Sequence, residues 1–416
     1  MDTPTLMIGI SAAVLLSYWF NHLGRVLRFP SVVFLLLTGL LLRAATDARG
    51  LSVQPPAALL SVLGTLGLIL IVLEGALDLD LVAGRRGFLQ RTFASAALGV
   101  VGGTAVLAAV LKLLFAISWP AAVMVAIPFG VISSAAAIPG AEVLPKEERE
   151  FVIYESSWSD ILGVMLFNAA TVALAAGGGG FTLNLFGGAA AVLLIGGVLG
   201  LGMVWLVGNL EGHVKFLPLI FGLVLVYAAA EVMNLSPLLI VLVLGLMLNN
   251  PHLLRRVKGL ARLQSRHYPA ELLRLKHLTA EATFLVRTFF FLLLGYSTDL
   301  GTLADPRAWG VALLIVVCVF GLRWPLLWLF NGRRPRPLLW AAPRGLITVV
   351  LFYSLPPALL PAALPHGALI LVVLLSCIVM ALGLRRDGAQ AGDEAGAPAP
   401  EAPAPAASTT APESAS

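Results

Sequence analysis

Charge is scarce in this chain. Only 12% of its 416 residues are Asp, Glu, Lys or Arg, against about a quarter in soluble globular domains. With 59% hydrophobic residues and a mean hydropathy of +0.94, that shortage excludes an ordinary soluble protein. Cysteine is nearly absent too: Cys318 and Cys377 both lie in apolar segments, so neither a disulfide framework nor a thiolate metal site is indicated. His22, His213, His252, His267, His277 and His366 fall in or near loops without paired spacing, which argues against a transition-metal centre or a bound cofactor. The run Gly177 to Gly180 has no lysine and follows no strand, so it reads as an outer turn rather than a phosphate loop. The opening Met1-Asp2-Thr3-Pro4 lacks the basic start of a cleavable signal peptide, and the first apolar run is expected to persist as a helix. The net charge of +5 does not point to nucleic acid, because the basic residues sit in short loops between apolar runs. The partner they imply is the lipid bilayer.

What the chain has in abundance is apolar runs of membrane-spanning length. Thirteen are read at about 5–20, 30–42, 55–77, 92–115, 120–141, 151–176, 183–207, 216–233, 235–249, 278–296, 309–329, 338–356 and 367–384. The expected fold is all-α and polytopic. Basic residues mark alternate loops: Arg25 and Arg28; Arg85, Arg86 and Arg91; Lys146 and Arg149; Lys215; the cluster from Arg255 to Lys276; Arg333, Arg334 and Arg336; and Arg385 and Arg386. The opposite loops hold Arg43, Arg49 and Arg307, with Lys112 near a helix end. A skew of roughly twenty against four places the first set in the cytoplasm, the N-terminus outside and the C-terminus inside, in a cell (inner) membrane. The stretch 251–277, basic with interleaved leucines, fits an amphipathic connector against anionic headgroups. A solvated linker is the alternative. From 386 to 416 the composition turns to Ala, Pro, Glu and Ser, and a disordered cytoplasmic tail is expected.

Carboxylates inside the sixth run stand out, since a bilayer makes charge costly and intramembrane acids are functional by default. At about 100° per residue, Ser156, Ser159 and Asp160 share one helix face, with Glu155 about 140° from Asp160. That face offers several oxygens to a small cation. A buried carboxyl favours the proton while a cation against it favours the charged form, so the two compete for one group.

Two runs are interrupted by Pro and Gly at membrane depth. The fifth carries Ser133-Ser134-Ala135-Ala136-Ala137-Ile138-Pro139-Gly140, and the twelfth, seven runs later, carries Ala341-Ala342-Pro343-Arg344-Gly345. In transporters, paired breaks of this kind expose carbonyls and half-helix ends to bound ions. About thirteen transmembrane helices in two inverted repeats, with helices 5 and 12 interrupted, are therefore expected. The transmembrane domain would span 1–385, with repeat halves 1–176 and 214–385 and a connector helix at 183–207.

Several motifs together resemble one family. Glu155-Ser156 followed by Ser159-Asp160 looks like the Glu-Ser-x-x-Asn-Asp motif of thirteen-helix monovalent cation:proton antiporters of the sodium/proton exchanger branch. The stretch Leu73-Glu74-Gly75-Ala76-Leu77-Asp78-Leu79-Asp80 resembles that family's third helix, and Tyr227 to Pro237, with Glu231, its Tyr-x-x-Ala-Glu segment. Glu281 to Gly295 and Pro343-Arg344-Gly345-Leu346 are similar to its tenth and twelfth helices. The resemblance implies that Asp160 carries proton and cation in turn, that Ser156 is an ion ligand with Ser159, Ser134 and Ser133 nearby, and that Glu74 lines the same site. It also implies a Glu155–Arg344 pair, for which there is a physical reason: an unpaired guanidinium in the membrane interior is costly. Glu281 and Arg287 are expected as structural charges. A homodimer is implied, with a bundle of the fifth, sixth and twelfth helices shifting against a scaffold of the others.

The sequence departs from the family at two points. The fifth-helix Thr-Asp-Pro is replaced by Ser134-Ala135-Ala136-Ala137, and Ser159 stands where Asn is usual. A single carrier carboxylate points to electroneutral exchange of one H⁺ for one cation, with Na⁺ the leading choice and K⁺ or Li⁺ as alternatives. Two other classes compete: a cation channel or leak using the same acidic cavity without proton coupling, and a membrane enzyme using Asp160 and Glu155 as acid and base. No nucleophile, metal set or cofactor motif accompanies the latter, so a non-enzymatic role is expected.

Overall fold

The computed structural model describes residues 3–27, 29–50, 57–79, 81, 85–175, 194–206, 216–232, 237–251, 268–331, 337–365 and 367–396. Among them no strand occurs, and every one of the expected apolar runs holds a helix. In chain order these are α1 (Thr3–Leu27), α2 (Ser31–Ala48), α3 (Ala57–Asp78), α4 (Arg86–Phe115), α5 (Trp119–Gly130), α6 (Ser134–Gly140) and α7 (Lys146–Ala175). Then come α8 (Leu194–Leu206), α9 (Phe216–Val232), α10 (Pro237–Asn249), α11 (Tyr268–Ser297), the short α12 (Leu300–Ala304), α13 (Pro306–Asn331), α14 (Leu346–Tyr353) and α15 (Gly367–Gly396). Among the described residues, eight helical stretches are long and apolar enough to cross a bilayer unaided.

Two expectations change. Residues 268–277 belong to α11 rather than to a separate connector, because Tyr268-Pro269 opens a helix that runs unbroken into the apolar stretch; the rest of the proposed connector, 252–267, lies outside the described residues. Helical backbone continues to Gly396, past the composition change near residue 386, since the intervening Ala, Gln and Glu are compatible with helix. Residues 397–416 and the Gly177 to Gly180 run are outside the described residues, as is the first part of the 183–207 connector.

Packing follows side-chain size. α2 crosses α11 where Gly39 meets Gly295; a Cβ on Gly39 would run into the Leu292 carbonyl, so only small residues allow this approach. α3 lies against α10 and α11, and α4 against α5, α7 and α13. The fully buried Asn250 side chain holds the end of α3, donating to Leu79 O at 2.8 Å and accepting from Leu81 N at 2.7 Å. At the N-terminal start of α4, Arg85 pairs with Glu150 and lies 4.6 Å over the Phe88 ring. Large apolar side chains such as Met7, Leu15, Leu313, Val317, Trp324 and Trp328 point outward, as they must where lipid is the solvent.

α5 is buried along almost its whole length, and it ends at Gly130. Val131 to Ser133 form an extended stretch before α6 begins, and the chain is non-helical again from Ala341 to Gly345 before α14. The two breaks touch: the Ser133 amide donates to Pro343 O at 3.0 Å, and a Cβ on Gly345 would lie 2.5 Å from Ser133 Oγ.

Candidate functional site

A helix break in lipid frees backbone groups that no water can satisfy, so each must find a partner in the protein. At the first break the freed donors are the amides of Ile132, Ser133 and Ser134. Ile132 N donates to Ser159 Oγ at 2.9 Å, Ser133 N to Pro343 O, and Ser134 N to Asp160 Oδ2 at 3.1 Å. Phe129 O, which Ser133 N would have capped in an unbroken helix, accepts instead from Arg344 Nε at 2.6 Å. Pro139 supplies no N–H to Ala135 O, and Arg287 Nη1 donates there at 3.1 Å. Carbonyls of the second break are satisfied likewise: Ala341 O by Arg323, Ala342 O by Arg344 Nη1 at 2.9 Å, and Arg344 O by the Cys377 thiol at 3.6 Å. Ser376 Oγ accepts from Arg344 N at 2.9 Å.

Around this crossing the α7 face expected from helical periodicity is assembled, but its members differ in what they have left to offer. Asp160 is 3% exposed; Oδ2 is held by Ser134, whose side chain also hydrogen-bonds it, while Oδ1 has no partner. Ser133 Oγ is likewise buried without a partner. Ser159 spends its oxygen on Ile132. Ser156 donates its hydroxyl hydrogen to Val152 O at 2.7 Å, so only its lone pairs remain for an ion. Glu74, half-buried on α3, faces Arg287 and Thr283 of α11. Arg287 thus lies within electrostatic reach of Glu74 while it donates to the start of α6, one residue beyond Ser134.

The expected Glu155–Arg344 pair is not formed. Glu155, 1% exposed, pairs with Arg323 of α13: Nη1 to Oε1 at 3.1 Å and Nη2 to Oε2 at 2.7 Å, with Ser95 Oγ on Oε1 at 2.6 Å. Arg323 also donates to Leu338 O from Nε at 3.0 Å. Arg344 satisfies itself on backbone carbonyls because the breaks supply them. Arg323 was missed although the signal was present: a guanidinium in the middle of the 309–329 run incurs the same bilayer cost that drew attention to Arg344. Of the two expected structural charges, Glu281 is exposed on α11, and Arg287 reaches the broken helix.

Crossed breaks beside a buried carboxylate with one free oxygen make a place where an ion can be bound within the membrane. A family model described as "Sodium/hydrogen exchanger, transmembrane" matches residues 10–386. The chain belongs to the sodium/hydrogen exchanger family. Members of this family are transporters, so cation:proton exchange across a membrane is the activity it carries. Its fold is similar to that of the sodium proton antiporter MjNhaP1 from Methanocaldococcus jannaschii at pH 8, with a TM-score of 0.67 at 18% identity over 92% of this chain and 100% of that one. A second structure of that antiporter, from an electron-microscopy map, matches with a TM-score of 0.67 at 17% identity, covering 94% of this chain and 97% of the other.

Proposed function

We propose that this sodium/hydrogen exchanger family member exchanges one monovalent cation, Na⁺ first and K⁺ or Li⁺ as alternatives, for one H⁺ by alternating access, with Asp160 as the shared carrier. The observation that carries this is the unsatisfied oxygen of Asp160, buried beside the unpartnered Ser133 Oγ, with no cationic side chain paired to it among the described residues. An anionic carboxylate left so in a bilayer is costly, and either a proton or a small cation removes the cost. Whichever is bound, the carboxyl is neutralised by one charge, so the loaded carrier crosses with the same net charge in both directions. Ser133, Ser156 and Glu74 are the further oxygens within the same region.

The hydrogen bonds also support a division of the helices into two parts that shift against each other. Glu155 ties α7 to α13 through Arg323 and to α4 through Ser95, while Ser376 and Cys377 tie α15 to the second break. A body of α4 to α7, α13, α14 and α15 is therefore proposed, larger than the three-helix bundle expected from sequence. α1, α2, α3, α9, α10 and α11 form its counterpart, and the Arg287–Ala135 bond lies on the boundary. The repeat halves 1–176 and 214–385, assembly as a homodimer through the counterpart, an outside N-terminus and an inner-membrane location complete the proposal.

The test is exchange in proteoliposomes, with lumenal pH recorded as Na⁺, K⁺ or Li⁺ is added under an imposed pH gradient. Asp160→Asn should abolish cation-dependent proton flux, and native flux should decline as acid fills the carrier. Retained flux in Asp160→Asn defeats the assignment. A rate steeply dependent on membrane potential defeats the one-for-one cycle, and cation flow indifferent to the proton gradient means a leak.

A further inference from the structure

Behind the ion site, on the side of α7 away from Asp160, lies a cavity of about 30 Å³ lined by Ser95, Gly103, Gly130, Glu155, Arg323 and Arg344. One water needs about 10–15 Å³ of such space, so the room is for about two waters or one halide ion. Its charges do not balance. Two guanidiniums, which stay protonated under all ordinary conditions, face one carboxylate. Glu155 is saturated by the fork of Arg323 and by Ser95. Arg344 spends Nε and Nη1 on Phe129 O and Ala342 O, and its Nη2 has no partner among the described residues. Carbonyl dipoles soften one excess positive charge in this buried place but do not cancel it. The space exists because of glycine: Gly103 stands against Gly130, and a Cβ on Gly103 would lie 3.6 Å from Gly130 Cα.

We propose that this cavity binds one small monovalent anion, chloride or bromide in size, held by Arg344 Nη2 and the field of the two arginines. Bound there, the anion completes the charge balance of the body that carries Asp160 and stabilises it. A halide satisfies a guanidinium N–H without shape demands of its own. Sulfate and gluconate exceed the space, and a cation is repelled by the net positive charge. The apolar wall of the cavity is the seam between α4 and α13, where Gly99, Val319, Leu322 and Leu326 line it.

The experiment uses the purified full chain at fixed Na⁺ and fixed ionic strength, with sodium chloride replaced stepwise by sodium gluconate while thermal unfolding is followed. A saturable rise in melting temperature with chloride and bromide, and none with gluconate or sulfate, is expected. Superimposable chloride and gluconate titrations overturn the proposal. Gly103→Ala should erase the halide response by filling the cavity, and a response that persists in it moves the anion elsewhere and overturns the assignment. Should that variant fail to fold, bromide soaked into crystals of the native chain decides: an anomalous peak between Arg323 and Arg344 supports the site, and its absence rejects it. The halide response should survive Asp160→Asn, which abolishes exchange, so the failure of one proposal leaves the other standing.

Discussion

Replacing Arg323 with Gln separates two accounts of how the charge on Glu155 is kept in the membrane. In the native chain Glu155 receives two bonds from Arg323 and one from Ser95, while Arg323 also holds Leu338 O and Ala341 O. Removing one member of a buried pair leaves the other charge without its own partner, at about 3–5 kcal/mol. Arg344 does not take over without cost, since its Nε is committed to Phe129 O. A double-mutant cycle supplies the assay: thermal or denaturant unfolding of Arg323→Gln, Glu155→Gln and the double variant, and the same three measurements with Arg344→Gln. Coupling between Glu155 and Arg323 should be on the order of 2–3 kcal/mol, within the range for residues in direct contact, and that between Glu155 and Arg344 well below it. The reverse order, with Glu155 coupled strongly to Arg344 and weakly to Arg323, would refute the pairing and restore the partner expected from sequence.

Two other substitutions test the crossed breaks. Ser159→Ala removes the acceptor of the Ile132 amide, so the fold should lose about 1–3 kcal/mol, the usual penalty for an orphaned buried donor; Ser159→Thr should recover most of it, and unchanged unfolding in Ser159→Ala would mean that the break does not depend on this bond. Gly345→Ala places a methyl 2.5 Å from Ser133 Oγ and 3.0 Å from Ser133 Cβ. Such overpacking costs about 1–3 kcal/mol and should slow exchange through displacement of Ser133, whereas Gly50→Ala, a change in open space at positive φ, should leave exchange untouched.

Much of this architecture is legible in the amino-acid order, because a bilayer leaves few choices. Apolar runs of spanning length must be helices, and Pro139 and Pro343 flag the places where the ladder fails. Period alone brought Ser156, Ser159 and Asp160 to one face. It could not say that Ser156 would turn back onto Val152 O or that Ser159 would be consumed by Ile132, since those outcomes depend on which donors a break sets free in three dimensions. Arg323 shows a different limit. Helical spacing relates residues within one helix, whereas the choice between Arg323 and Arg344 for Glu155 is made by the crossing of α7, α13 and the second break. Glu281 and Arg287 share a helix, yet one meets the exterior and the other a carbonyl freed by a proline on another element.

The two acids of α7 are treated in opposite ways, and that contrast gives the site its direction. Glu155 and Asp160 lie five residues apart on one helix, equally enclosed, and desolvation penalises both charges to a comparable degree. For Glu155 the fold answers that penalty with a guanidinium fork and a hydroxyl. For Asp160 it answers half, with the amide and side chain of Ser134 on one oxygen and nothing on the other. A structural role would favour saturation of both. One carboxylate left incomplete, in a backbone fixed around it by two arginines and several carbonyls, is what the proposed carrier role requires, since a proton and a monovalent cation can each neutralise it.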